Sequence, residues 1–205
     1  MTRVDMQVRL QNQFNNPTYY DIQSMNDSIQ DGLDEVTALT GLVWQSATLP
    51  FTNNLTYYDL ITLLGNYVGV YAIYNAVINR WLIPTSVKHL DQVRIDWESA
   101  YGTPYYFVPI NHRYIAIYKK PNGPNYGNMY IYYLASAPLL NDGLELPIPD
   151  DHITALESYC IRDLWEQNQE FTKASDMMET YITNLEALRV LMKNRRNSDR
   201  QASLR

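Results

Sequence analysis

The chain of 205 residues has little of what redox, metal or membrane sites require. It contains one cysteine, Cys160, and three histidines, too few for a disulfide framework or for the Cys/His cluster of a structural zinc site. Its apolar runs fall far short of the roughly 18 residues of a membrane-spanning helix, and it does not begin with an apolar leader. We therefore expect a soluble, non-secreted protein with no metal, cofactor or membrane partner.

Positive charge is also scarce, and it is unevenly placed in a chain of net charge -6. Lys and Arg are absent between Arg9 and Arg80, an interval that holds the acidic residues Asp21, Asp27, Asp31, Asp34, Glu35 and Asp59. The last residues reverse this balance with Lys193, Arg195, Arg196, Arg200 and Arg205 against Asp199. An acidic chain does not suit a protein that reads nucleic-acid sequence, because phosphate neutralisation needs an excess of Lys and Arg.

The most regular apolar pattern lies near the C-terminus and predicts a helical hairpin. Apolar residues recur at alternating spacings of three and four, which is typical of a long packed helix: Phe171, Ala174, Met178, Tyr181, Leu185, Leu188 and Met192. Ile153, Leu156, Cys160 and Leu164 predict a second helix before it, with Asp150 and Asp151 as capping acids. The short connection over residues 166–169 predicts that the two helices are antiparallel.

Two further helices are predicted before this hairpin. Asn16 can cap a helix with Pro17 in its first turn, and the helix would end at Gly41. Its apolar face would be Ile22, Met25, Ile29, Leu33, Val36 and Leu39. A shorter helix over residues 86–101 would begin at Ser86 and present Val87, Leu90, Ile95 and Trp97.

The middle of the chain predicts strands. Residues 67–74 are apolar or aromatic on both faces of the predicted strand, as expected of a strand that is covered on both sides. Residues 105–110 and 113–118 flank a tight Asn111-His112 turn, which predicts a hairpin. Residues 129–135 follow a loop rich in Pro, Gly and Asn and predict a further strand. We expect one antiparallel sheet of three or four strands inserted between helical segments, hence the α+β class. The predicted organisation is a domain over 1–192, helical at 16–41 and 150–192 with a β-rich insertion at about 43–136, followed by a basic tail at 193–205.

No pattern in the sequence predicts catalysis. Residues 65–69 lack the third glycine of a dinucleotide loop, and no phosphate-binding Gly-Lys-Ser/Thr motif is present. His112 and His152 fit a turn and a helix start, and Cys160 fits a core position. The eighteen tyrosines are interpreted as packing residues in the sheet or between subunits, with a stacking platform for single strands or sugars as the alternative.

Four segments in a fixed order carry a resemblance to a known family. They are Met129-Tyr130-Ile131-Tyr132-Tyr133, Ala137-Pro138-Leu139-Leu140, the segment Leu144-Glu145-Leu146-Pro147-Ile148-Pro149-Asp150-Asp151-His152, and Phe171-Thr172-Lys173-Ala174. Over roughly residues 16–192, this order resembles the head-to-tail adaptor (connector) proteins of tailed bacteriophages.

The resemblance implies a structural virion protein rather than an enzyme. Similar proteins form a ring, usually a dodecamer, in which helical hairpins of neighbouring copies pack side by side under the portal. The implied partners are the portal protein, tail or other neck proteins, and genomic double-stranded DNA that passes through the channel without sequence-specific binding. The implied location is the head-tail junction, with assembly in the host cytoplasm.

Three sets of residues become candidates under this interpretation. The tail residues predicted to dock on the portal are Lys193, Arg195, Arg196, Arg200, Leu204 and Arg205. Those predicted to face a neighbouring subunit are Tyr159, Trp165 and Tyr181, and those predicted to line the channel or its rim are Asp27, Asp31 and Asp34. The alternatives are a stopper or tail terminator, a glycan-binding module, and a basic end that touches packaged DNA.

Overall fold

The computed structural model describes residues 1–14, 20–123 and 126–202, with side chains up to residue 195. Its helices are α1 (Arg3–Gln13), α2 (Ile22–Thr40), α3 (Leu60–Leu64), α4 (Val87–Val93), α5 (Thr154–Gln167) and α6 (Phe171–Ala202). Its strands are β1 (Trp44–Pro50), β2 (Tyr57–Asp59), β3 (Tyr67–Asn75), β4 (Arg80–Trp81), β5 (Ile83–Pro84), β6 (Tyr106–Ile110), β7 (Tyr114–Tyr118) and β8 (Asn128–Ala135). The α+β class predicted from the sequence is confirmed.

The chain divides into two compact units. A helical unit comprises residues 1–43 and 137–205, and a β unit comprises residues 44–136. The helical unit therefore draws on both ends of the chain, because α1 and α2 pack with α5 and α6.

The helical hairpin predicted from the C-terminal pattern is confirmed. Its helices α5 and α6 are joined by residues 168–170, where Gln169 adopts a left-handed conformation with φ 61°. The backbone of α6 stays helical through Ala202, beyond the end of the apolar pattern at Met192. With 32 residues, α6 is more than twice as long as α5, which has 14, so α5 covers only part of it.

The start predicted for α5 is wrong in one respect. Neither Asp150 nor Asp151 caps the helix through its side chain, because these residues form a 3-10 turn in which the Ile153 N–H donates to the Asp150 carbonyl at 3.3 Å. The Asp150 carboxylate instead lies 3.5 Å from the Met1 ammonium. The Asp150 carboxylate thus pairs with the N-terminal ammonium and makes no capping hydrogen bond to the helix.

Helix α2 confirms the predicted N-terminal helix but not its full apolar face. Asp21 caps it, because the Ser24 N–H donates to the Asp21 carboxylate at 2.8 Å, and the predicted Asn16-Pro17 start lies outside the described residues. Gly41 ends it with φ 62°, as predicted. Ile22 and Leu39, which the pattern placed on the buried face, are exposed because they lie on the first and last turns of the helix.

Helix α1 was not predicted. The Thr2 N–H donates to the Asp5 carboxylate and the Asp5 N–H donates to the Thr2 hydroxyl. These two hydrogen bonds form a capping box at the start of the helix. Only Met6 and Leu10 of this helix are buried, so its periodic signal is weak. It is nevertheless anchored, since Arg9 lies 2.7 Å from the buried carboxylate of Glu157 on α5.

The described residues of the β unit form two sheets rather than the single sheet predicted. One has the strand order β1-β8-β3-β4 and is antiparallel throughout; the other has the order β2-β7-β6-β5 and includes one parallel pair, β5 with β6. The four predicted strand segments are confirmed as β3, β6, β7 and β8. They are distributed over both sheets, because β3 and β8 pair in the first while β6 and β7 form the predicted hairpin of the second. Its turn residue Asn111 has φ 55°.

The helix predicted over residues 86–101 is shorter than expected. Ser86 caps α4, as predicted, but the helix ends at Val93 and a separate 3-10 turn follows over Trp97–Ser99. Trp97 packs with Leu90 in a buried cluster. Ile95 is 93% exposed and was placed wrongly on the apolar face, because the chain leaves the helix before reaching it.

Candidate assembly surfaces

The residues with chemically reactive side chains are dispersed. His112 lies in the exposed turn between β6 and β7, whereas Cys160 is fully buried on α5 with its sulfur 3.6 Å from the Ser28 carbonyl. Burial raises the pKa of the Cys160 thiol, which keeps it protonated and unreactive. Among the described residues, no group of three or more His, Cys, Asp or Glu side chains could hold a metal ion. No helix in this part of the chain is long and apolar enough to cross a bilayer.

Tyr159 and Tyr181, predicted to face a neighbouring subunit, lie instead in the core of the helical unit. Their rings meet edge to face with centroids 5.6 Å apart, and the Tyr181 hydroxyl donates to the Glu35 carboxylate at 2.7 Å. The Arg162 guanidinium stacks over both rings, 4.5 Å from the centroid of Tyr159 and 5.3 Å from that of Tyr181. Burial raises the pKa of Tyr159 to about 12. Tyr181 is 2% exposed, so the single chain already uses both rings to join its helices.

A glycine lets α2 approach this tyrosine pair. A Cβ atom on Gly32 would lie 2.5 Å from Cδ1 of Tyr159 and 2.8 Å from Cδ1 of Leu156, closer than any side chain tolerates. Ser28, one turn before Gly32, is also fully buried. The contact of α2 with α5 therefore depends on small residues, which a search for apolar periodicity passes over.

Trp165, the third predicted interface residue, is half-buried near the end of α5. Its ring meets Phe14 edge to face with centroids 5.1 Å apart, and the Lys173 ammonium lies 4.3 Å from its centroid. One side of this indole is thus used within the subunit, while part of it remains accessible.

Helix α6 carries an apolar stripe that the subunit does not cover. Of the seven predicted positions, Ala174, Tyr181, Leu188 and Met192 are buried and Leu185 is half-buried. Phe171 and Met178 are 66% and 39% exposed, and Ile182, next to them on the helix, is 49% exposed. At 100° per residue, these three side chains lie within one narrow sector adjacent to the buried face. We call Phe171, Met178 and Ile182 the α6 stripe.

The acidic residues predicted for the channel or rim share one exposed helix face. Asp27, Asp31 and Asp34 follow each other at spacings of four and three on α2, and none of them takes part in an ion pair among the described residues. Partial burial raises the pKa of Asp31, and the carboxylates of Asp163, Asp34 and Asp27 raise it further. Asp163 of α5 thus extends the acidic surface beyond α2, a contribution the sequence analysis missed.

The predicted docking tail is only partly within the described residues. Lys193 and Arg195 are exposed on α6. Arg196 and Arg200 belong to the same helix, without described side chains, whereas Leu204 and Arg205 lie outside the described residues. Among the α6 residues whose side chains are described, which end at residue 195, the last buried one is Met192, just before the basic segment.

Comparison with known proteins identifies the family of this chain. A search of curated proteins found no match. The family model described as SU10 adaptor protein matches residues 1–205, the whole chain. Because the match covers the full length, the chain belongs to the SU10 adaptor protein family, a family of bacteriophage head-tail adaptors that are structural virion components and not enzymes.

Proposed function

We propose that this protein forms a homo-oligomeric ring between the portal and the tail and extends the channel through which DNA passes. The resemblance to connector proteins implies a dodecamer that assembles in the host cytoplasm and also contacts tail or other neck proteins. Membership of the SU10 adaptor protein family supports an adaptor role. The single observation that supports ring formation is the exposed α6 stripe.

The α6 stripe supports lateral contact between copies for a physical reason. Burying apolar surface is favourable by about 25 cal/mol for each Å² removed from water. The three large apolar side chains of the α6 stripe would gain this free energy if a neighbouring copy covered them. Their spacings of seven and four match the seam by which one helix packs along another. The helical hairpin of a neighbouring copy has the right shape to pack against the α6 stripe. Trp165, which is partly accessible near the end of α5, stays a candidate for the same interface.

The acidic face of α2 suits the wall or rim of a DNA channel. DNA slides past a surface most freely when no Lys or Arg binds its phosphates, because each such contact must be broken again. We propose that Asp27, Asp31 and Asp34 provide such a non-adhesive surface, together with Asp163. Partial burial raises the pKa of Asp31 and repulsion from the neighbouring carboxylates raises it further, which is the energetic cost of keeping these carboxylates together.

The basic end of α6 is proposed to dock on the portal. Arginine guanidinium groups pair bidentately with carboxylates, and Arg195, Arg196 and Arg200 would supply them, with Lys193 and Arg205 adding charge and Leu204 an apolar contact. A chain truncated after Met192 is expected to keep its fold, because it retains every α6 side chain that is buried among the described residues, and to lose binding to DNA-free portal rings. Binding is measured by co-sedimentation with purified portals, and folding by circular dichroism.

A matched control separates specific docking from loss of charge. The variant Lys173→Gln, Arg189→Gln removes two exposed cations elsewhere on α6 and should still bind portals. Unchanged binding of the truncated chain to empty portals would reject the docking proposal. If the truncated chain instead failed only on DNA-filled particles, the basic end would be a DNA contact.

A further inference from the structure

Strand β1 has one side with no partner among the described residues. It pairs with β8 along its whole length, from Trp44 opposite Leu134 to Pro50 opposite Asn128, and with no other strand. In the same register, the Phe51 N–H donates to the Gly127 carbonyl at 2.9 Å. Hydrogen bonding alternates along an antiparallel pair, so the N–H and C=O groups of Ser46 and Thr48 point away from β8.

This edge lacks the features that usually protect a strand from pairing with another chain. The other sheet edges formed by β2, β4 and β5 are only two or three residues long, whereas β1 has seven. The pairing of β3 with β8 shifts register at two places, whereas the pairing of β1 with β8 has no shift. It carries no charged residue, and its one blocking residue is Pro50 at the end. The edge is therefore a regular template for a further strand.

The sheet face beside this edge is aromatic and uncovered. Ser46 and Thr48 lie opposite Tyr132 and Tyr130, whose rings are exposed on the same face. On that face Trp44 also packs edge to face against Tyr71. Because Ser46 and Thr48 are small, the rings are open towards the edge. Large apolar side chains on a strand beyond β1 would cover them.

The absence of charged residues on three strands of this sheet restricts which segments can bind to its edge. The sequences of β1, β3 and β8 contain no Asp, Glu, Lys or Arg, so a charged side chain buried there would find no counterion on these strands. The segment that fits this uncharged edge is therefore itself uncharged. Exposed main-chain donors and acceptors require a backbone in extended conformation as the ligand, and the aromatic face requires apolar side chains at every second position.

We propose that an extended, uncharged segment of a different polypeptide chain adds to β1 as a fifth strand of this sheet. Its backbone pairs with Ser46 and Thr48, and its large apolar side chains cover Tyr130 and Tyr132. This contact goes beyond ring formation and does not depend on it, because it lies in the β unit, whereas the α6 stripe lies in the helical unit.

The decisive variant is Thr48→Pro. Proline removes the outward N–H of Thr48 without touching a hydrogen bond to β8, and Pro50, two residues further along, shows that proline is accepted on this side of the strand. The matched control, Thr48→Val, keeps the N–H and the branched side chain. Both variants should retain the wild-type circular dichroism spectrum and unfolding midpoint.

The probe is a synthetic peptide, acetylated and amidated, in which tyrosine and valine alternate with threonine over six residues between single terminal lysines. With the peptide in excess, amide exchange of Ser46 and Thr48 measured by NMR should slow about tenfold in the wild type, because the new strand protects both groups. Thr48→Val should behave in the same way. Thr48→Pro should show no slowing at Ser46, and a peptide with glutamate in place of tyrosine and valine should protect neither variant.

Three results would overturn the proposal. Absence of protection at Ser46 and Thr48 in the wild type would show that the edge accepts no strand. Equal peptide binding by Thr48→Pro would place the contact on the aromatic face rather than at the edge. Self-association of the full chain that Thr48→Pro abolishes and Thr48→Val preserves would identify a second copy as the occupant, in place of a different chain.

Discussion

Replacing Gly32 by valine is expected to lower the free energy of unfolding by about 3 kcal/mol, the upper range for overpacking a closed core. The first added carbon alone would lie 2.5 Å from the Tyr159 ring. That ring cannot move away freely, because Tyr181 and Arg162 pack against it. Helices α2 and α5 must therefore separate, which also strains the hydrogen bond between Tyr181 and Glu35.

The measurement is urea unfolding followed by circular dichroism, with Gly69→Val as the matched control. A Cβ atom on Gly69 would meet no atom within 4 Å, and the residue lies in a strand, where valine is favoured. We expect a much lower midpoint for the Gly32 variant and a nearly unchanged one for the control. Equal midpoints for both variants would contradict the close packing of α2 on α5.

Substituting both Met178 and Ile182 by glutamate is expected to abolish ring formation while leaving the subunit folded. Both side chains are exposed in the single chain, so their replacement costs the fold little, whereas two carboxylates buried between copies would lack partners. In analytical ultracentrifugation, under conditions where the wild type assembles, the variant should sediment as a monomer. Its circular dichroism spectrum should match that of the wild type.

The charge-matched control for this pair is Thr180→Glu, Ala187→Glu. These two residues are exposed on the side of α6 away from the α6 stripe, so the control adds the same charge without entering the proposed interface. It should assemble normally. If the stripe variant also assembled, or if both variants failed equally, the α6 stripe would not be the contact between copies.

The helices with clear periodicity were predicted well, and the reason is visible in their packing. The hairpin of α5 and α6 buries one face along its length, so the spacing of apolar residues reports it directly. Helix α1 escaped prediction because only Met6 and Leu10 are buried, too few to make a pattern. The single predicted sheet became two because short strands such as β2 and β5 carry little signal of their own.

What contacts a buried residue was harder to predict, since periodicity shows that a residue is buried but not what buries it. Tyr159 and Tyr181 were predicted to face another subunit, yet the partner of Tyr181 is Glu35, 146 residues away along the chain. The missing signal was Gly32, whose absent side chain makes room for Tyr159. The α6 stripe lies beside the core face on the same helix, so it could be separated from that face only once the exposure of each side chain was known.

Electron microscopy of the purified protein mixed with purified portal rings shows whether the protein forms a ring that attaches to the portal. We expect a second ring, coaxial with the portal and attached to one of its ends. Images in which the portals stay bare while the protein remains monomeric, at concentrations where it is folded, would contradict it.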